Sequence, residues 1–564
     1  MQANSYFSEF KPKFFSVLKH GYGFKNLTAD LVSGLIVAII ALPLSMAFAI
    51  ASGTSPEKGL YTAIIGGFLI SFLGGSRYQI GGPAGAFIVI IYGIIERQGI
   101  DGLLIAGFMA GVILIIMGLL KLGTVIKFIP YPVTKGFSAG IAIIIFITQL
   151  NDFFGMGIKK VPSEFFDKLL LYFENISRID IYSTIVGLIS IIIIIYSKKI
   201  TLKIPGPFLA VVFGILVVYL FKLPIETIQD RFGTIPSTLP APTIPVITLE
   251  KIKALIPDAI TIAVLGAVES LLSAVVADGM TGDKHRSNME LLAQGVANIF
   301  SPLFGGIPAT GTIARTATNI KNGAYSPLSG IFHSIWVLLF MLLLAPIIMK
   351  IPFATLGAII IVVAYNMSEI EHIKNLFKAP KSDITVFLAT LLLTVIIDLN
   401  VAVQVGMLLS VLLFMRRMIS ITEVKDINIQ LDKAEDLMDD EMDDKDAIYN
   451  KKFPEGVEVY ELSGPFFFGV ADKVKQVITS LEQSPKVFIL RMRNVPMIDA
   501  TGIHALTEIC SDFEKKGTSV ILSGVSPYVK KLLLKAGINK IVGDENIVDH
   551  IDKAIEIAKK YTFK

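Results

Sequence analysis

The chain has 564 residues, of which 53% are hydrophobic and 17% are charged, and its formal net charge is +4. Apolar runs recur from Leu31 to Met415, which excludes an ordinary soluble protein and predicts that most of the chain spans a bilayer. The single cysteine, Cys510, excludes an intramolecular disulfide and a cysteine metal cluster. Nothing in the charge balance points to nucleic acid, and the polar, basic start is unlike a cleavable signal peptide.

Fourteen hydrophobic segments are predicted as membrane spans. Three of them, the third, the ninth and the tenth, are shorter than the roughly 20 residues of a regular span. Irregular backbone at membrane depth is tolerated where it is buried in protein or lines a cavity. The segments cover residues 31–51, 59–75, 83–95, 102–121, 133–150, 179–197, 206–222, 256–277, 289–303, 311–320, 328–348, 354–368, 383–398 and 400–415.

Basic residues of the short loops predict the orientation. Fourteen crossings place all of these loops on the side of the basic N-terminus, which the positive-inside rule identifies as cytoplasmic. Both termini are therefore predicted to be cytoplasmic and the protein to lie in the cell's inner (plasma) membrane. The residues are Lys121, Lys127, Lys135, Lys198, Lys199, Lys203, Lys374, Lys378, Lys381, Arg416 and Arg417.

Seven spans, a long loop and seven further spans suggest two halves. An odd number of spans per half forces opposite orientations, so the repeat is predicted to be inverted. Spans three and ten then correspond, as do spans one and eight.

Two glycine-proline breaks precede the short third and tenth spans. The first is Gly81–Gly85 and the second is Gly305–Gly311. Broken helices in matching positions of two halves mark transporter binding sites, and helix N-termini attract anions through their backbone N–H groups and dipole. Close helix packing is the structural alternative for these glycines. The breaks therefore predict an anion site.

Pro43 is predicted to kink the first span and to direct Ser45 or Phe48 toward a ligand, with a plain packing kink as the alternative. Asp258 and Asp398, near span ends, are interpreted as interfacial.

Glu269 is a carboxylate in the middle of the eighth span, where an acid is costly and usually faces a cavity or a partner. It is interpreted as a coupling site for H⁺ or Na⁺, with Ser273 one turn on along the same face. Arg315 follows the second break and has three interpretations: the fixed positive charge at an anion, the structural partner of Glu269, or a side chain reaching the cytoplasmic face.

The C-terminal part changes in composition. Acidic residues from Ser420 to Phe453 predict a solvated linker, and the alternating pattern after Pro454 predicts a small α/β domain. Strands are predicted at 457–462, 486–492 and 519–522, and helices at 471–481, 502–513, 527–536 and 547–559. The predicted domains are a cytoplasmic N-terminal segment at 1–26, a transmembrane transport domain at 27–418, the linker at 419–453 and the α/β domain at 454–564.

Several motifs resemble the sulfate permease (SulP) family of anion transporters, in order and along nearly the whole chain. Ala41 to Gly53, followed by Gly59-Leu60-Tyr61, resembles the first-span signature of the family. Asp499 to Gly502 is similar to the loop of STAS domains that is phosphorylated in soluble members. The other matching stretches are Gln79 to Gly85, Asn298 with Gly305 to Pro308, and Ala314 to Thr316.

The resemblance implies a polytopic α-helical membrane protein with seven-plus-seven inverted repeats in core and gate domains, a cytoplasmic STAS domain and a dimer. Sodium-coupled bicarbonate members have Asp and Thr where this chain has Glu269 and Ser273, and the glutamate is more similar to proton-coupled members. Thr501 matches the phosphorylated position, and a simple helix N-cap is the interpretation we favour for it. The implied anion site lies near spans one and eight and contains Pro83, Ala84, Gly85, Ala86, Phe87, Ala309, Thr310, Gly311 and Thr312.

The predicted function is secondary active transport of a small inorganic or carboxylate anion, sulfate-type preferred over bicarbonate and C4-dicarboxylates, coupled to H⁺ rather than Na⁺ by alternating access. No enzymatic motif, metal-ligand set or cofactor fingerprint is present, so no cofactor is expected. Alternatives are a nucleobase-type permease, a membrane sensor or scaffold with the STAS domain as output and a cytoplasmic partner, and an uncoupled anion channel.

Overall fold

A computed structural model describes residues 9–19, 21–124, 130–159, 161–162, 164–200, 204–234, 236, 238–245, 248–427, 451, 453–479 and 484–562. The chain divides into two compact units, Met1–Ser410 and Val411–Lys564.

The first unit is helical. Each of the fourteen predicted apolar segments coincides with a helix or part of one, and further short helices lie in the connections. The helices are α1 (Lys13–Lys19), α2 (Phe24–Ala51), α3 (Pro56–Tyr61), α4 (Gly67–Leu73), α5 (Ile88–Leu119), α6 (Tyr131–Phe153), α7 (Phe165–Glu174), α8 (Ile181–Ile200), α9 (Gly206–Phe221), α10 (Ile228–Phe232), α11 (Leu249–Thr281), α12 (Ser287–Leu303), α13 (Ile313–Lys321), α14 (Leu328–Ile348), α15 (Phe353–Ser368), α16 (Ile370–Leu376), α17 (Lys381–Ile396) and α18 (Leu399–Ile421).

Seven helical stretches in the described part of the chain are long and apolar enough to cross a membrane. Large apolar side chains such as Leu220, Leu343 and Leu408 remain exposed on these and neighbouring helices, as lipid contact requires.

Two local irregularities shape the second, third and fourth segments. A π-helical turn, Thr62–Gly66, joins α3 to α4 into one interrupted span. Within α5, Gly99 has φ 67° and ψ −174°, a conformation that glycine adopts without steric cost. The third segment therefore ends at this break and the fourth segment begins after it.

The helices of the first unit pack in two groups. In the core group, α5 packs on α11 and α12, α2 on α14, and α13 on α11. In the gate group, α6 packs on α15 and α17, and α8 on α9 and α15. This division matches the core and gate domains that the family resemblance implies.

The second unit contains a five-stranded sheet. Its strands are numbered after two short strands of the first unit, β1 (Gly81–Gly82) and β2 (Thr310–Gly311), and are β3 (Glu423–Asp426), β4 (Val457–Ser463), β5 (Val487–Asn494), β6 (Ser519–Ser523) and β7 (Ile547–Val548). They lie side by side in the order β3-β4-β5-β6-β7, with β3 antiparallel to β4 and the remaining neighbours parallel. The helices are α19 (Phe468–Thr479), α20 (Ala500–Lys515), α21 (Pro527–Lys535), α22 (Asn539–Val542) and α23 (Ile551–Thr562).

Two sequence predictions for this unit are wrong in part. The sequence predicts a linker over 419–453, but Glu423–Asp426 within it forms β3 because it pairs with β4. Its one apolar residue gives no strand pattern. Residues 547–548 were predicted to begin a helix but form β7, and the helix begins at Ile551. Most of the predicted linker lies outside the described residues.

Candidate functional site

The two glycine-proline breaks meet in the interior of the core group. Gly81–Gly82 forms a two-residue strand, β1, that pairs antiparallel with β2, Thr310–Gly311. Thr312 N–H extends the pairing by donating to the Ile80 carbonyl oxygen at 3.0 Å. Antiparallel pairing is the arrangement expected of breaks that enter one site from opposite directions.

A helical start follows each break. The first break leads through a 3₁₀ turn, Gly85–Phe87, into α5, and the second leads directly into α13. The first N–H groups of a helix have no intrahelical partner, and together with the helix dipole they form an anion-binding end. Two such ends begin beside one short sheet.

Side-chain amides and hydroxyls hold the second break in place. The Asn298 amide spans the backbone of Ala309, donating to its carbonyl at 2.7 Å and accepting from its N–H at 2.9 Å. Thr62, in the π-helical turn, accepts from Ile307 N–H at 2.8 Å, and Ser301 donates to the Ile307 carbonyl at 2.8 Å. The break is therefore an ordered structure.

The predicted coupling span, α11, contacts the same break. The hydroxyls of Ser270 and Thr310 lie 2.8 Å apart, and Thr310 Oγ1 donates to the Gly266 carbonyl at 3.1 Å. A Cβ added at Gly266 would lie 3.4 Å from Phe87 Cζ, so this glycine admits the aromatic ring that follows the first break.

Arg315 links the second short helix to the first break. Its side chain is 3% exposed, and Nη2 donates to the Pro83 carbonyl oxygen at 2.9 Å. Nη1 is buried and has no hydrogen-bond partner among the described residues. The guanidinium is thus turned toward the break and keeps an unused donor there.

Glu269 interacts electrostatically with Arg315, but no ion pair within 4.0 Å joins them in the described part of the chain. Its Oε2 is buried, without a hydrogen-bond partner from the described residues. Ser273, predicted on the same face, is fully buried and donates to Thr316 Oγ1 at 3.1 Å. The carboxylate therefore keeps an unpaired oxygen, and the serine hydroxyl is already bonded.

The predicted first-span residues lie beside the first break. Helix α2 is continuous through Pro43. Ser45 is fully buried, and its Oγ has no partner in the described structure. A Cβ added at Gly85 would lie 3.6 Å from Phe48 Cε1, so the phenyl ring packs on this turn. Ala84, Ala86 and Thr312 are also buried.

Sequence reasoning missed the hydroxyls that organise the site. Thr62, Ser270 and Thr316 all bond to the breaks or to α11. Thr316 also accepts from Ile80 N–H at 3.1 Å. The one available signal was a hydroxyl within an apolar run, which is common in membrane helices and too weak to select these three.

In the C-terminal unit, the N-cap interpretation of Thr501 is wrong. Asp499 is the N-cap of α20, and its Oδ1 accepts from Gly502 N–H at 2.8 Å. Thr501 is exposed in the first turn. Its role as a phosphate acceptor stays a prediction.

Comparison with known proteins covers both units. The description "Sulfate permease family" matches residues 27–390, and "STAS domain" matches residues 449–554. YvdB of Bacillus subtilis (strain 168), named as a proposed sulfate transporter, is 41% identical over 94% of this chain and 98% of its own length. The bicarbonate transporter BicA of Picosynechococcus sp. is 30% identical over 95% of each chain.

Solved structures agree at the level of fold. Murine Slc26a9, an anion transporter in the inward-facing state, superposes with a TM-score of 0.86 at 20% identity, over 99% of this chain and 95% of its own. The transmembrane domain of a cyanobacterial BicA superposes with a TM-score of 0.62 at 32% identity, over 68% of this chain and 98% of its own. The chain is a polytopic membrane protein that belongs to the sulfate permease family and ends in a STAS domain.

Proposed function

We propose that this protein is a secondary active transporter of small anions, with sulfate preferred, that works by alternating access and symports H⁺. Relatives along nearly the whole chain are named sulfate or bicarbonate transporters, which supports the anion class. None of the relatives compared is named as an enzyme or a nucleobase permease, so these classes are not favoured.

The observation that most supports anion binding is the convergence of two helix starts with one buried arginine. Both N-terminal ends and the unused Nη1 donor of Arg315 lie at the paired breaks. A small oxyanion bound there accepts from backbone N–H groups and from a guanidinium, which are donors suited to its geometry.

Glu269 is the proposed coupling group. A buried carboxylate oxygen without a partner is costly, and a bound proton lowers that cost because it neutralises the charge. The preference for H⁺ over Na⁺ rests on the glutamate at position 269, because Ser273 donates its hydrogen to Thr316 Oγ1 and keeps its oxygen lone pairs. Proton binding by Glu269 and anion binding near Arg315 would then favour each other through their opposite charges.

The two packing groups offer a physical basis for alternating access, because a core group that contains the whole site can move against the gate group. We further propose a plasma-membrane location with both termini cytoplasmic, a homodimer, and a STAS domain that contacts a cytoplasmic partner. Crosslinking of the reconstituted full chain tests the homodimer, which should appear as a species of twice the mass of the chain.

Uptake by proteoliposomes tests the function. Radiolabelled sulfate, bicarbonate and a C4-dicarboxylate are each offered with an imposed H⁺ gradient, an imposed Na⁺ gradient or neither. We expect concentrative sulfate uptake with the H⁺ gradient. Uracil that competes with the anion would favour the nucleobase permease, gradient-insensitive flux would favour a channel, and absence of all flux would favour a sensor.

Glu269→Gln tests the coupling. The variant keeps the size of the side chain but binds no proton, so we expect H⁺-driven accumulation to be lost while anion exchange remains. Glu250→Gln, at an exposed position in the first turn of the same helix, is the matched control. Unchanged H⁺-driven accumulation by Glu269→Gln would overturn the coupling role.

A further inference from the structure

A cavity of about 600 Å³ lies apart from the paired breaks and has walls from both packing groups. Helix α5 contributes Tyr92 and Arg97, and α6 contributes Thr148. Ile88, which also lines the cavity, follows directly after the 3₁₀ turn of the first break. The residue that follows the first break therefore forms part of the wall of this cavity.

Lys168, on α7, is the principal cation of this cavity. It is 3% exposed, and its Nζ donates to Thr148 Oγ1 at 2.9 Å and lies 5.6 Å from the centre of the Tyr92 ring. No carboxylate lies within 4.0 Å of this ammonium group in the described part of the chain. A buried cation with a neutral hydroxyl as its partner is costly.

Burial also acts on the pKa of this group. Helix α7 lies outside the predicted spans, and burial lowers the pKa of the Lys168 ammonium to about 8. No structural ion pair offsets this cost among the described residues. An anion within reach of Nζ would offset it.

The other charges of the cavity are mostly occupied. Arg97 is paired with Asp258 at 2.9 Å. Asp398 accepts from Val401 N–H at 2.8 Å, at the start of α18. Glu164 is the remaining acid of the lining, and Glu96 interacts electrostatically with Lys168. Lys168 is the lining cation that has no carboxylate within 4.0 Å among the described residues, so an entering anion can pair with it.

We propose that this cavity is an outer docking site for the transported oxyanion, bound by the ammonium group of Lys168. The Thr148 hydroxyl donates to the Ile144 carbonyl at 2.8 Å and accepts from Lys168, so it positions the ammonium group. The inference rests on the proposed anion transport, because the cavity wall includes the residue that follows the first break. In the proposed orientation it opens away from the cytoplasm. An anion held there is concentrated beside the two helix starts before the core group moves.

Charge replacement at one position tests the proposal in full-length protein. Cys510, the only native cysteine, is buried and burial raises the pKa of its thiol to about 12, so an introduced cysteine reacts selectively. Lys168→Cys is expected to raise the KM for sulfate about tenfold, as for loss of one charge-assisted hydrogen bond. A methanethiosulfonate bearing ethylammonium should restore the KM, and one bearing ethylsulfonate should raise it further.

Two comparisons keep the test decisive. Lys159→Cys, in the same connection but exposed and outside the lining, should respond to neither reagent. Thr148→Val removes the hydroxyl that positions the Lys168 ammonium group, at nearly constant volume, and we expect its KM to rise severalfold. The docking site is overturned if Thr148→Val has the KM of the wild type and if Lys168→Cys, after confirmed labelling, has the same KM with both reagents as without them.

A binding measurement separates this inference from the proposed function. Sulfate should slow the labelling of Lys168→Cys in detergent, where no transport occurs, and should not slow that of Lys159→Cys. Protection without any flux in proteoliposomes would support the docking site and contradict transport. Flux without protection at saturating sulfate would support transport and contradict the docking site.

Discussion

Arg315 Nη2 donates a hydrogen bond to the carbonyl oxygen of Pro83 at 2.9 Å, so a side chain of α13 holds the first break, which precedes α5. The bond joins positions 232 residues apart in the chain. The two halves of the candidate site are thereby held by one charged group whose other donor, Nη1, remains unused.

Arg315→Gln should raise the KM for sulfate about 10–100-fold, because a hydrogen bond to a charged group contributes roughly 1.5–3 kcal/mol. Arg315→Lys should recover part of the affinity, since it keeps the charge but not the planar fork. Uptake kinetics in proteoliposomes measure both. Arg178→Gln, at an exposed position, is the control; equal KM values for the control and Arg315→Gln would contradict the assignment.

Gly311→Ala should abolish uptake. The added Cβ would lie 1.4 Å from Gln79 Nε2, so Gln79 must leave its hydrogen bond to the Ser270 carbonyl. The control, Gly279→Ala, has no atom within 4 Å of the new Cβ and should transport normally. Shortening the obstructing side chain in Gly311→Ala/Gln79→Ala should restore part of the uptake, and normal uptake by Gly311→Ala alone would refute the close approach.

Asn298→Ala should lower thermal stability markedly, because two buried backbone groups of Ala309 lose their partners at a cost of roughly 1–3 kcal/mol each. Asn298→Asp keeps the acceptor but loses the donor. Its thermal stability should lie between that of Asn298→Ala and that of the wild type. Thermal unfolding of detergent-purified protein measures the effect. The exposed residue Asn375 provides the control variant Asn375→Ala, which should unfold at the wild-type temperature.

The KM for sulfate should rise as external pH increases from 7 to 9. Burial lowers the pKa of Lys168 to about 8, so its positive charge is present below that pH and lost above it. Lys168→Arg stays charged throughout this range, and its KM should change less than that of the wild type. The other titratable or charged groups near Lys168 are Tyr92, Glu96, Arg97, Asp152, Glu164, Tyr172, Asp258 and Asp398. An identical pH profile in the two proteins would contradict the role of the Lys168 charge.

Asp499→Ala should loosen the first turn of α20. Loss of a side-chain cap costs about 1 kcal/mol, which corresponds to roughly fivefold faster exchange of the first-turn amide hydrogens. Hydrogen-exchange mass spectrometry of the full chain measures this rate. Asp512→Ala, near the other end of the same helix, should leave it unchanged, and equal exchange in both variants would show that the cap contributes little.

Periodicity and composition were sufficient for the helices of the first unit, because the apolar length of a membrane span is set by the bilayer. They also located both breaks, since Gly81, Gly82 and Pro83 interrupt an apolar run in a way that few other residues do. They failed at Glu423–Asp426, where pairing with β4 creates a strand that the charged sequence does not suggest.

Local sequence determined that two helices begin at glycine-proline breaks and that Glu269 and Arg315 lie in apolar surroundings. Only the tertiary structure decided that the breaks pair with each other, that Arg315 bonds to Pro83 and not to Glu269, and that Lys168 is buried against Thr148. The physical reason is that helix length and backbone breaks depend on neighbours in the chain. The partner of a buried charge depends instead on which distant backbone or hydroxyl group the packed helices bring within hydrogen-bond distance.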